Sequence, residues 1–93
     1  GGPLTLGAGA RATIPPNAVA LHLTQPEGSP RNALHGSVAL IESRGSLVAV
    51  TVGIEGQRLR ADLTPGAVAE LGLVPGLPVI ASIKATQIQL HPA

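Results

Sequence analysis

The stretch Leu47-Val48-Ala49-Val50-Thr51-Val52-Gly53-Ile54-Glu55-Gly56-Gln57-Arg58-Leu59-Arg60-Ala61-Asp62-Leu63 carries the strongest structural signal in the chain. Val48, Val50, Val52 and Ile54 share one face of a period-two strand, and Leu59, Ala61 and Leu63 share one face of the next. Between them Glu55-Gly56 is a two-residue turn signal of the kind that accommodates positive φ at glycine. Arg58, Arg60 and Asp62 fall on the opposite side, so the hairpin has one apolar and one solvated face. A chain whose clearest feature is a tight hairpin is built from antiparallel strands.

The same alternation extends outward in both directions. On the N-terminal side, Leu34 to Ser43 forms a strand with Val38 and Leu40 set against Ala39 and Ile41, and Arg44-Gly45 supplies a turn. Ala18 to Leu23 is a further strand, with Val19, Leu21 and Leu23 on one face and Ala20 and His22 on the other. Gln25-Pro26-Glu27-Gly28-Ser29-Pro30 stops it. The glycines and prolines of residues 1–16 describe a connector that resists regular structure, except for a short strand at Leu4-Thr5-Leu6.

On the C-terminal side, Thr64-Pro65 is a hydroxyl N-cap followed by proline at the first helical position. Val68 and Leu71 share one helix face, and Gly72 fits the C-terminal stop. After the turn Val74-Pro75-Gly76-Leu77-Pro78, a strand runs from Val79 to Lys84 with Val79, Ala81 and Ile83 on one side. Thr86 to His91 is the last strand, with Ile88 and Leu90 facing in. The sum is an all-β fold, a small OB-like barrel of about six short strands with one short helix inserted between the fourth and fifth. An open sandwich is the alternative.

Composition bounds what such a fold can do. A chain of 93 residues makes one domain, and its 44% hydrophobic content comes without a single aromatic, so the core consists of Val, Ile, Leu and Ala. Small cores of short side chains gain from oligomerisation or from attachment to a larger partner. Six basic and five acidic residues leave a formal charge of +1 with no run of like charge. That pattern excludes a basic nucleic-acid footprint, and the missing aromatics exclude base-stacking platforms. With no cysteine there are neither disulfides nor thiolate metal sites. No apolar stretch reaches the roughly 20 residues that span a bilayer, and no signal peptide opens the chain, so a cytoplasmic location is expected. A start at Gly1 and the absence of methionine fit a segment of a longer polypeptide.

Two polar segments stand out. Ser29-Pro30-Arg31-Asn32 precedes the apolar run that begins at Leu34, and Lys84-Ala85-Thr86 holds the only lysine at the end of a strand. On their own, Ser29, Arg31 and Asn32 also fit a capped turn, and Lys84 also fits a surface lysine. His22, His35 and His91 have no paired spacing and no thiolate beside them, which assigns them to solvent-facing strand positions rather than to a metal. No nucleophile–base pair, acid/base dyad or Gly-x-x-x-x-Gly-Lys loop is legible, so catalysis is not expected.

Taken in order, Ser29-Pro30-Arg31-Asn32, Gly36, Gly45 between strands, Thr64 to Leu73 ending in Glu70-Leu71-Gly72-Leu73, Pro75-Gly76 and Ile83-Lys84-Ala85-Thr86 resemble the molbindin or Mop (TOBE-type) domain. That domain also ends the ATPase subunits of molybdate importers. The resemblance covers about residues 28–93, and Ile14 to Leu21 resembles the strand that precedes the domain in those ATPases. It implies a division into residues 1–27, a linker and preceding strand, and residues 28–93, the oxyanion-binding domain.

The resemblance also implies a site. Molybdate and tungstate are tetrahedral dianions whose oxygens only accept hydrogen bonds, so their site needs donors and positive charge. Arg31 supplies a forked donor pair, Lys84 a point charge, Ser29 and Thr86 hydroxyls, and the backbone around Arg31, Asn32 and Ala85 further N–H groups. Phosphate carries a proton at neutral pH and would want an acceptor that neither segment offers. Pro30 stands where alanine is common in the family and withholds one N–H, and Ala85 lacks the hydroxyl that serine gives some members. The family assembles its two segments across subunit interfaces, which implies a homo-oligomer. It further implies an ATPase domain in the same chain, membrane subunits as partners, and a position at the inner face of the cell membrane. No cofactor is implied beyond the oxyanion ligand. A stand-alone molbindin that stores the anion, and a structural dimerisation module with a degenerate site, are the alternatives.

Overall fold

Strands β5 (Leu47–Ile54) and β6 (Gln57–Leu63) form the expected hairpin, paired antiparallel from Val48↔Leu63 to Ile54↔Gln57 in a computed structural model of the chain. Its turn residues Glu55 (φ 49°) and Gly56 (φ 79°) are both left-handed, which matches the twist of the strands they join. The structure describes residues 3–6, 10–26, 33–83 and 89–92, with side-chain packing for 14–26 and 33–83.

The other elements are β1 (Pro3–Leu6), β2 (Ala10–Thr13), a 3-10 turn (Pro16–Ala18), β3 (Val19–His22), β4 (Leu34–Arg44), α1 (Pro65–Leu71), β7 (Pro78–Ile83) and β8 (Gln89–Pro92). They make a five-stranded sheet in the order β3-β7-β4-β5-β6 and a three-stranded sheet in the order β1-β2-β8, with every ladder antiparallel. The larger sheet coils until its two edge strands, β3 and β6, lie against each other, with the 3-10 turn packed on β6. This is a small OB-like barrel with one short helix between β6 and β7. Its core holds Ile14, Val19, Leu21, Val38, Val48, Val50, Val52, Ile54, Leu59, Ala61, Leu73, Val79, Ala81 and Ile83. No polar or charged residue is buried among the described residues. No helix among them is long and apolar enough to cross a membrane.

Four sequence expectations change. Residues 10–13 are a strand rather than connector, because β2 finds ladders on both sides, with β1 and with β8. β1 is the short strand expected at Leu4-Thr5-Leu6, and with β2 it raises the count above the expected six. Leu23 is not on the core face: β3 ends at His22↔Ile80 and the chain bends away, leaving Leu23 49% exposed. Leu40 does not share the face of Val38, because Ala39 is an extra residue between the pairs Val38↔Val52 and Leu40↔Thr51. Such a bulge inverts the alternation, so Val38 is buried, Ile41 packs against the core and Leu40 is 48% exposed. The final strand is described from Gln89, so Thr86 and Ile88 lie outside the described residues.

Helix α1 follows its sequence signals at both ends. Thr64 Oγ1 accepts from Ala67 N at 3.1 Å, and Pro65 occupies the first turn. Gly72 is left-handed (φ 65°, ψ 36°), its N–H donates to Ala69 O, and Leu73 N donates to Val68 O at 3.1 Å. This double closure delivers Leu73 into the core, where Val68 and Leu71 pack against it. Thr64→Ala leaves an N-terminal N–H without its cap and is expected to cost about 1 kcal/mol in chemical denaturation.

Gly36 answers a different constraint. It sits where β4 passes from β7 to β5, and a Cβ there would overlap Gly53 O and come within 2.7 Å of Ile54 Cγ1 and 3.1 Å of Val52 Cγ1. Since one obstacle is backbone, the strands themselves must part. Gly36→Ala is expected to destabilise the domain by about 1–3 kcal/mol, seen as a lower urea midpoint, whereas Gly66→Ala, with open space around it, is not.

Candidate oxyanion site

All six candidate site residues, Ser29, Arg31, Asn32, Lys84, Ala85 and Thr86, lie outside the described residues. What the structure describes is the frame beside them. β4 pairs with β7 from Leu34↔Ala81 to Ser37↔Pro78, and β3 pairs with β7 from Val19↔Ile83 to His22↔Ile80. The chain therefore enters β4 and leaves β7 on adjacent strands at one end of the sheet, and it enters β3 at that same end. Val19 and Ile83 are buried there and Leu34 packs against the core.

Alternation sorts the side chains of β7. Val79, Ala81 and Ile83 point into the core as expected, while Pro78, Ile80 and Ser82 belong to the outer face. Ile80 lies opposite His22 of β3 on one side and His35 of β4 on the other. It is nevertheless buried, at 7% exposure.

The outer face also corrects the reading of His22. Rather than facing solvent, it is half-buried, and its Nε2 is hydrogen-bonded to Ser82 Oγ at 2.7 Å. The hydroxyl donates or accepts according to the imidazole tautomer. This pair joins residues 60 positions apart, so no local pattern could reveal it; only the β3–β7 register does. It is also a hydroxyl–imidazole pair that the sequence did not show. A catalytic base would need a third group to orient the imidazole, and among the described residues no carboxylate is hydrogen-bonded to His22. His35 is exposed, as expected, and the side chain of His91 lies outside the described residues. The described residues hold no group of three metal-ligating side chains.

Two ion pairs stand on other parts of the sheet among the described residues. Arg44 pairs with Glu42 at 3.6 Å at the far end of β4, and Arg60 pairs with Asp62 at 3.4 Å on β6. The Arg60 Nε–Asp62 contact is an ion pair without hydrogen-bond alignment, since the buried Nε has no hydrogen-bond partner. On β3, β7 and the first half of β4 the outer face is Ala20, His22, Pro78, Ile80, Ser82, His35 and Ser37, with no carboxylate among them. Ser82→Ala removes a half-buried bond and leaves His22 without its partner. We expect a loss of about 0.5–1.5 kcal/mol in thermal or urea unfolding.

The TOBE domain family model matches residues 28–90. The molybdenum import ATP-binding protein ModC of Mycobacterium tuberculosis is 41% identical over 95 residues, which cover 97% of this chain and 25% of that protein. The molybdate/tungstate import ATP-binding protein WtpC of Pyrococcus horikoshii is 35% identical over 82 residues, covering 88% of this chain and 24% of that protein. The chain thus spans about a quarter of the length of these curated relatives. A solved structure of the cytoplasmic molybdate-binding protein ModG, with molybdate bound, superposes with a TM-score of 0.82 at 33% identity, covering 90% of this chain and 62% of that chain.

Proposed function

This chain belongs to the TOBE domain family, and from that membership we propose that it is the molybdate- or tungstate-binding regulatory domain of a molybdate import ATPase. The observation that carries the reading is the likeness to molybdate-bound ModG. The paired start of β4 and end of β7, which flank the two donor segments, support it. In this reading residues 28–93 are the binding domain and residues 1–27 a linker and preceding strand. Arg31 and Lys84 supply the charge, Ser29 and Thr86 hydroxyls, and the backbone of Asn32 and Ala85 N–H groups.

The oxyanion is taken in the cytoplasm at an interface between copies. Binding then stabilises the oligomer by mass action and shifts the attached ATPase domains toward one arrangement at the inner face of the membrane. ATP hydrolysis belongs to the part of the polypeptide outside these residues. The likeness to ModG, named a cytoplasmic molybdate-binding protein, favours a second reading, a free-standing anion store with the same site. The full reading frame separates the two.

Calorimetric titration of the 93-residue chain with molybdate, tungstate, sulfate and phosphate, together with oligomer mass, tests binding itself. Molybdate and tungstate are expected to bind; no heat and no mass change with any oxyanion would leave a structural dimerisation module. Arg31→Ala is expected to lose a charge-assisted contact of about 1.5–3 kcal/mol, roughly 10- to 100-fold in affinity. Unchanged molybdate affinity in that variant removes Arg31 from the site.

A further inference from the structure

Beyond Ser37, strand β4 loses its partner on one side. β7 pairs with it only from Leu34 to Ser37, and the turn before β7 takes the next residue: Val38 N donates to Leu77 O at 2.9 Å, and Gly76 N donates to Val38 O at 2.7 Å. From Ala39 to Arg44 the described residues offer no backbone partner on that side, while β5 holds the other side from Leu40 to Arg44. Apart from half-buried Ile41, these residues are exposed.

The bulge decides which groups face outward. Val38 turns its N–H and C=O away from β5, and the extra residue Ala39 inverts the alternation. Leu40 and Glu42 then turn their backbone groups to β5, and Ile41 and Ser43 turn theirs to the open side. An open edge of this kind accepts another strand.

We propose that this edge pairs antiparallel with the same edge of a second copy, about a two-fold axis through Ser43. The charges select both the occupant and the register. In a two-fold antiparallel pair each face stays on its own side, so Leu40, Glu42 and Arg44 meet members of their own set. An axis at Glu42 sets that carboxylate against itself. An axis at Ser43 instead sets Glu42 opposite the partner's Arg44 and Arg44 opposite the partner's Glu42, a complementary pair on each side. Within one chain these two side chains form only an exposed contact at 3.6 Å.

The same axis makes the two copies of Ser43 exchange N–H···O bonds at the centre of a ladder that ends where each strand turns at Gly45. It also carries exposed Leu40 toward the partner's hairpin turn. A ladder this short falls in the weak, transient class of interfaces, below about 1,200 Å² of buried surface, and strengthens when copies are tethered in a larger assembly. It does not depend on the oxyanion.

Sedimentation equilibrium of the 93-residue chain over a concentration series, without oxyanion, tests this. A monomer–dimer equilibrium is expected. Ser43→Pro deletes an N–H that faces the open side, so the fold is retained and the dimer lost. Arg44→Glu is expected to weaken association about tenfold, and adding Glu42→Arg to it restores association by rebuilding both pairs with reversed sign. Thermal unfolding confirms that each variant is folded, and the charge swap decides if Ser43→Pro is not. A monomer at every concentration, a dimer that forms only with molybdate, an unaffected folded Ser43→Pro dimer, or a folded double variant that fails to recover would each overturn the proposal.

Discussion

Strand β4 is hydrogen-bonded to β7 along Leu34–Ser37 and to β5 from Ser37 onward, and the fold depends on this one segment serving two ladders. The crossing brings backbone so close to backbone that only a residue without Cβ fits at Gly36. The bulge at Ala39 then turns the strand and hands its apolar side from Val38 to Ile41. Without that passage the β5–β6 hairpin and the β3–β7 pair would be separate two-stranded ribbons, which are marginal in water. With it they become one coiled sheet around a shared core.

A core built without aromatic side chains demands such continuity. Val, Ile, Leu and Ala each bury little surface, so stability comes from many small contacts rather than a few large ones. The buried positions are accordingly spread over Ile14, β3, β4, β5, β6, Leu73 and β7, with α1 closing the barrel through Val68 and Leu71. The polar work is left to the surface. There the His22–Ser82 bond ties β3 to β7 beside the end of the sheet where the chain enters β4.

Family likeness and local chemistry support each other at that end. The segments that precede β4 and follow β7 in sequence contain an arginine, a lysine and hydroxyls, the residue types that suit a tetrahedral dianion, and among the described residues the outer face of β3, β7 and the first half of β4 carries no carboxylate. The open half of β4 lies at the other end of the strand, past the bulge. The proposed anion site and the proposed edge pairing therefore draw on opposite ends of one strand.

The hairpin, the helix caps and the core faces of β5, β6 and β7 were legible because each is set by neighbours one to four positions away: alternation, a Thr-Pro start, a glycine stop. The two donor segments are candidates by residue type and order alone, and their residues lie outside the described structure. Strand β2 was missed because its stability comes from partners at both ends of the chain, and Leu40 was misassigned because a bulge leaves no mark in period-two alternation. The His22–Ser82 bond and the crowding at Gly36 likewise arise between residues distant in sequence. The local elements could be read along the chain alone, since they follow from backbone geometry and side-chain type over a few neighbouring residues. Ladder partners, the face that each residue presents and the edge that the described strands leave unpaired emerge with the assembled sheet, because register is a property of two strands at once.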